Sequence, residues 1–214
     1  MISAFGVTSP LSAYADSAAK KGLELDVHKW RVIESESGKV NYYTVVDSPD
    51  LPFIRARYRP PYKTAVLGFE IEGLDRQRAS RLKWRWRAMV LPNGGNECAE
   101  GKGDSAAVVY LSWKRGMRWY TLKYVWSAVG PKASICGRKR NPFLAQDTII
   151  LESGGPLGVW RDEVIDLKSE FRRHFEGGDA NASVPDFAGA GLMTDGDQTR
   201  SESAADYAQI VLER

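Results

Sequence analysis

Asp195-Gly196-Asp197-Gln198-Thr199 is the segment whose residue types come closest to chemistry. Alternating carboxylates bent around a glycine can gather hard oxygen ligands for Ca²⁺. The spacing departs from a complete calcium loop. No acid follows two positions after Asp197, Arg200 stands where the sharp-turn glycine belongs, and the twelfth position is Asp206 rather than a longer Glu. The same residues suit a structural turn in which Asp195 and Asp197 accept backbone N–H groups. A third reading is glycan cleavage, which takes two carboxyls about 5–9.5 Å apart, with Asp104, Asp147 or Asp166 as the second acid. Asp195 and Asp197 are therefore the candidate metal ligands, with Ca²⁺ as the cation and no cofactor otherwise required.

Seven Trp and nine Tyr offer flat apolar faces on which the C–H groups of a sugar ring can stack. Alternation assigns Trp84, Trp86 and Trp126 to the core. Trp113 and Trp119 flank the turn Lys114-Arg115-Gly116-Met117, and Trp30 and Trp160 lie near turn sequence, so these four are expected to be at least partly exposed. The cations Arg81, Lys83, Arg85 and Arg87 share one strand face, about 6–7 Å apart. Either neighbouring acids such as Glu70 and Glu72 pair with them, or they form a shelf for an acidic glycan, a lipid headgroup or an acidic protein. Trp113, Trp119, Trp160, Arg85 and Arg87 make up the expected ligand-binding set. Lys123, Tyr124 and His174 could each serve a lyase as base, but no spacing singles one out.

Other chemistries fit the composition poorly. The net charge is only +3, with acids and bases interleaved, which is not the clustered excess of a nucleic-acid binder. Two histidines, His28 and His174, are too few for His-rich metal centres. No stretch approaches the ~20 apolar residues of a membrane span. Cys98 and Cys136 stand in polar, glycine-containing sequence. They are expected to be unpaired thiols, with a single bridge between two loops as the alternative, one that would suit an oxidising compartment.

The elements that must position these residues are strands. Leu82, Trp84, Trp86 and Ala88 alternate strictly with the cations, and a period of two is the signature of an extended strand. Further strands are predicted over 27–34, 41–46, 53–58, 64–72, 106–113, 119–126, 147–152, 157–167, 187–193 and 208–213. Turn sequences such as Asp47-Ser48-Pro49-Asp50 separate them. Residues 130–142 read as a long loop. Leu167, Phe171 and Phe175 form an i, i+4, i+8 stripe, which predicts one short helix over 168–175. The fold class is thus all-β, an antiparallel two-sheet sandwich of jelly-roll type. Residues 25–214 are expected to form one domain, and residues 1–24 a tether or docking segment. Ala13-Tyr14-Ala15 has the form of an export cleavage site, but Met1 to Leu11 lacks a basic residue and contains Pro10.

Six motifs in order extend this reading. They are Leu82-Lys-Trp-Arg-Trp, Gly103-Asp-Ser-Ala-Ala-Val-Val-Tyr110, Tyr124-Val-Trp126, Asp166-Leu-Lys-Ser-Glu-Phe-Arg-Arg-His-Phe175, Leu192-Met-Thr-Asp-Gly-Asp-Gln-Thr199 and Ala204-Ala-Asp-Tyr207. Together, over Leu25 to Leu212, the chain resembles the bacterial family labelled domain of unknown function 3047. That resemblance implies a single β-sandwich, often exported to the periplasm or beyond, with no established activity. The chain departs from it in Cys98, Cys136 and the weak export signal. The expected function is a non-catalytic binding module for a polysaccharide or another bacterial envelope component. The alternatives are an interaction subunit that docks an acidic protein on its basic face, and a glycan-cleaving enzyme.

Overall fold

Leu82, Trp84, Trp86 and Ala88 are all buried, and the residues between them face outward, as alternation along a strand requires. The computed structural model, which describes residues 22–33 and 41–214, places them on β6 (Arg81–Val90). The other strands are β1 (Leu23–Glu24), β2 (Arg31–Val32), β3 (Tyr43–Val46), β4 (Phe53–Tyr58), β5 (Val66–Glu70), β7 (Ser105–Arg115), β8 (Arg118–Ser127), β9 (Ile135–Arg140), β10 (Leu144–Ser153), β11 (Arg161–Asp166), β12 (Phe187–Met193) and β13 (Ser203–Glu213). The helices are α1 (Asp75–Arg78) and α2 (Leu167–Phe175). A six-stranded sheet runs β11-β6-β13-β4-β3, with β1 beside β13. A seven-stranded sheet runs β2-β5-β12-β7-β8-β10-β9. The two form a β-sandwich of jelly-roll type.

Indole rings seal the interface between the layers. Trp86 of the six-stranded sheet meets Trp126 of the other edge-on at 5.9 Å, and Trp84 meets Tyr124 at 6.1 Å. Tyr207 on β13 crosses the gap. Its hydroxyl donates to the Met193 carbonyl at 2.5 Å and accepts from the Val108 amide at 3.2 Å. Buried polar groups cost free energy unless paired, so these bonds tie the two sheets in one register. The Asp166 carboxylate caps α2 by accepting from the Ser169 amide, and Phe171 and Phe175 pack on Trp113 and Tyr120. No helix among the described residues is long and apolar enough to cross a membrane.

Several sequence expectations are corrected. Val27–Lys29 is a 3₁₀ turn capped by Asp26, so among the described residues the expected 27–34 strand is reduced to Arg31–Val32, with the Ile33 amide also donating to the Val66 carbonyl. Glu34, at the end of the expected 27–34 strand, and residues 1–21 of the expected tether or docking segment lie outside the described residues. Leu23–Glu24, at the end of the expected tether or docking segment, pairs with Leu212 and Val211 of β13. The loop expected over 130–142 contains β9, an edge strand whose one-sided pairing leaves no apolar alternation to read. After β8 the chain runs out to β9 and returns between them, so β10 lies parallel to β8, while the other pairings among the described residues are antiparallel. Cys98 and Cys136 are not free thiols; they form a disulfide with their Cα atoms 4.8 Å apart.

Candidate functional site

The β7–β8 hairpin builds the floor of the site. Gly116 sits at the first central position of its two-residue turn with φ +61°, a conformation that glycine adopts without strain. On β7 the residues Val109, Leu111 and Trp113 point into the core, so Tyr110, Ser112 and Lys114 point away from it. On β8 the core takes Tyr120, Leu122, Tyr124 and Trp126, which sends Trp119, Thr121 and Lys123 to the same outer face. Register pairs Tyr110 with Lys123, Ser112 with Thr121, and Lys114 with Trp119. Gln146 and Thr148 on β10 continue the same rows. On the other side lie Gly191 and Gly68; a side chain at Gly191 would come within 3.3 Å of Tyr110.

The outer face is thus bounded by two aromatic residues with hydrogen-bonding groups between them. Trp119 is 41% exposed, and the Lys114 ammonium lies 4.9 Å from its ring centre. Trp119 stands four residues from Lys123 on β8, so the two aromatic positions are roughly 13 Å apart along the strands. The Ser112 and Thr121 hydroxyls approach to 3.4 Å between them. The Tyr110 hydroxyl donates to Met193 Sδ at 3.3 Å.

Beyond Tyr110 and Lys123 a loop over residues 92–103 closes the face. The disulfide joins its Cys98 to Cys136 on β9, and the Gly95 carbonyl accepts from the Ala128 and Val129 amides. The loop carries Glu97, whose carboxyl burial pushes up from the ordinary range. Burial works to lower the Lys123 ammonium, but the charges of Tyr110, Asp195, Glu97 and Asp104 outweigh it and hold the pKa above its usual value. Burial likewise pushes Asp195 up to about 7, against the pull of Lys123 and the Ser105 amide.

Asp195 and Asp197, nominated as metal ligands, do come together with Asp104: one oxygen of each lies within 4.8 Å of the others. Their bonding is that of a clasp. The Asp104 carboxylate accepts from the Thr199 amide at 2.6 Å and the Gln198 amide at 3.3 Å, and Asp195 accepts from the Ser105 amide at 2.8 Å. Three carboxylates could contribute oxygens to a Ca²⁺ shell, which takes six to eight. Asp104 and Asp195 are buried and only Asp197 is exposed, so a glycosidic bond in solvent can reach one acid of the three. The other nominated acids lie elsewhere. Asp147 accepts from Arg140 at 2.6 Å and faces His174 at 2.8 Å, and Asp166 caps α2.

Of the expected ligand-binding residues, Arg85, Arg87 and Trp160 gather on the outer face of the six-stranded sheet. The Arg87 guanidinium lies 4.4 Å from the Trp160 ring centre, Arg85 lies 5.8 Å from it, and Phe53 meets Trp160 edge-on at 6.0 Å. Acids neutralise the cation row, but not Glu70 or Glu72, since Glu70 belongs to the other sheet. Arg85 pairs with Asp162 at 2.8 Å, Arg87 with the fully buried Asp206 at 2.7 Å, and Arg81 and Lys83 with Glu213. Trp113 corrects its expectation: it is 1% exposed, packed between Phe171 and Phe187. Trp30 is buried too, against Phe69. Only Trp119 and Trp160 keep accessible rings, on opposite sheets.

Sequence reasoning passed over Tyr110, Ser112, Thr121 and Gln146 and saw Lys123 only as one base among several. The signal was present as Tyr-x-Ser-x-Lys before the turn and Trp-x-Thr-x-Lys after it, an outward-facing register on both hairpin arms.

A family model described as "Protein of unknown function (DUF3047)" matches residues 28–211. The chain belongs to that family. No curated protein matches it in sequence. Among solved structures, this member of the DUF3047 family is similar to the family 11 carbohydrate-binding module of cellulosomal cellulase Lic26A-Cel5E of Clostridium thermocellum. Identity there is 9% and the TM-score 0.47, over 92% of this chain and 96% of that one. It is also similar to the xyloglucanase domain of NopAA from Sinorhizobium fredii, at 10% identity and TM-score 0.46 over 90% and 98%. Endoglucanase 3 of Trichoderma harzianum, from family GH12, matches at 10% and 0.41 over 93% and 98%. No residue-level correspondence follows from likeness at this level.

Proposed function

We propose that the protein is a non-catalytic binding module for a polysaccharide, which lies along the outer face of the seven-stranded sheet. The observation that carries this reading is the exposed Trp119 on the same face and the same hairpin as Tyr110, with Ser112 and Gln146 between them and Lys123 beside Tyr110. A flat ring supplies apolar contact for the C–H face of a sugar, and the hydroxyl, amide and ammonium groups answer its hydroxyls. A span of roughly 13 Å between the aromatic positions suits a chain longer than a single sugar. The neutralised row Arg81 to Arg87 gives less support to an acidic protein partner, because its cations already have carboxylates. The disulfide fits an oxidising compartment and hence an envelope location.

Affinity electrophoresis through gels cast with individual polysaccharides tests the reading. The wild-type protein is expected to be retarded by one class of polymer, and Trp119→Ala to migrate as in a blank gel with its melting temperature unchanged. Equal retardation of the two proteins would sink the assignment of this face.

A further inference from the structure

On the opposite sheet, β4, β13 and the end of β6 enclose a cavity of about 230 Å³. Its charge is unlike that of the rest of the sheet. Arg55, Arg57 and Arg59 reach it from alternate positions of one run of chain, and only Asp206 and Glu202 oppose them. Asp206 is fully buried and spoken for. It accepts from Arg55 Nε at 2.8 Å and Nη2 at 3.0 Å, and from Arg87 Nε at 2.8 Å. Glu202 stands 3.5 Å from Arg59, and both side chains are more than 60% exposed, a pairing that water and salt readily exchange. Arg57 is exposed and has no carboxylate within ion-pair distance among the described residues. Counting Arg87 through its shared acid, four guanidinium groups face two carboxylates.

Guanidinium groups present a planar fork of donors that matches a carboxylate, and two of them at alternate strand positions, about 6–7 Å apart, can straddle one. The rest of the wall is not charged. Met89 and Ala204 give the cavity an apolar side, and Ser203 adds a small polar residue. The volume lies just under the ~300 Å³ where pockets for larger ligands begin, which suits a single ring. A bare ion would leave most of it filled with water.

We infer that this cavity is a second binding site, and that it takes a sugar ring bearing a carboxylate, a hexuronate. Arg57 and Arg59 hold the carboxylate, and Met89 and Ala204 lie against the ring. The sugar class rests on the polysaccharide reading above; the anion preference rests on the arginines alone. Two sources share this chemistry, a free sugar acid and a uronate residue within a polymer.

Isothermal titration of the full chain with glucuronate, with glucose and with a polyuronate oligomer decides the matter. Glucuronate is expected to bind and glucose not. Arg57→Gln should weaken glucuronate at least about tenfold, while Trp119→Ala leaves it unchanged. Arg57 is an exposed side chain, so its loss should leave the melting curve unchanged, which confirms that the variant is folded. Binding of the oligomer upholds a polymer-borne residue, and binding of the monomer alone upholds a free sugar acid. Equal binding of glucose, no effect of Arg57→Gln, or sulfate competing as well as glucuronate would each overturn the inference. If Arg57→Gln abolishes glucuronate binding while Trp119→Ala alters no polysaccharide, only the hairpin face is refuted. The reverse pattern refutes only the cavity.

Discussion

At the scale of single residues, parity along a strand decides more than residue type. Trp113 and Trp119 flank the same turn, yet one is core and the other exposed. Trp113 shares its face with Leu111, whereas Trp119 is out of phase with Tyr120 and Leu122. That distinction was legible in the sequence, and proximity to a turn obscured it. The partners of the acids were not legible. Asp195 meets Asp104 only because β12 pairs with β7, and Asp206 meets Arg55 and Arg87 only because β13 lies between β4 and β6. Asp195 also gives a pH signature. Its carboxyl, pushed up to about 7 mainly by burial, binds a proton in the folded chain that the unfolded chain releases near pH 4. Stability from this group is therefore full below about pH 4 and falls as pH rises towards 7. Each unit of the shift is worth about 1.4 kcal/mol. Asp195→Asn keeps an acceptor for the Ser105 amide, so its melting temperature should fall less steeply than wild type between pH 4.5 and 7.5. Parallel curves for the two proteins would show that Asp195 does not titrate in this window.

At the scale of elements, the strands with one buried and one wet face were readable, and the edges were not. The Leu82–Ala88 alternation, the β7–β8 hairpin and the Leu167, Phe171, Phe175 stripe each settled an element in advance, because burial imposes a period. β9 has no such period, since it is an edge strand whose Arg138, Lys139 and Arg140 are all exposed. Its one-sided pairing with β10 is reinforced covalently. The bridge from Cys98 to Cys136 closes a loop across 38 positions and pins residues 92–103 over the end of the hairpin face. Cross-links of this length contribute roughly 2–4 kcal/mol, chiefly by restricting the unfolded chain. Reductant should lower the wild-type melting temperature and leave the Cys98→Ser/Cys136→Ser double variant unmoved. A wild-type protein indifferent to reductant would mean that the loop is held by its backbone bonds alone.

At the scale of the whole molecule, the sandwich presents two outer faces of different character. One is a lattice of arginines matched with acids, open only at the cavity beside Arg57. The other carries Trp119 and Tyr110, with hydroxyl, amide and lysine side chains in the rows beside them. The core between them is dense with indoles, which leaves Trp119 and Trp160 as the accessible members of a set of seven. That disposition makes the central claim directly observable. In a ¹H–¹⁵N spectrum the seven indole N–H groups give separate signals, and each can be assigned by substitution. Titration with the polysaccharide that retards the protein in gels should move the Trp119 signal and leave the buried indoles in place. Movement of Trp160 with Trp119 unmoved would contradict the account and shift the binding face to the other sheet.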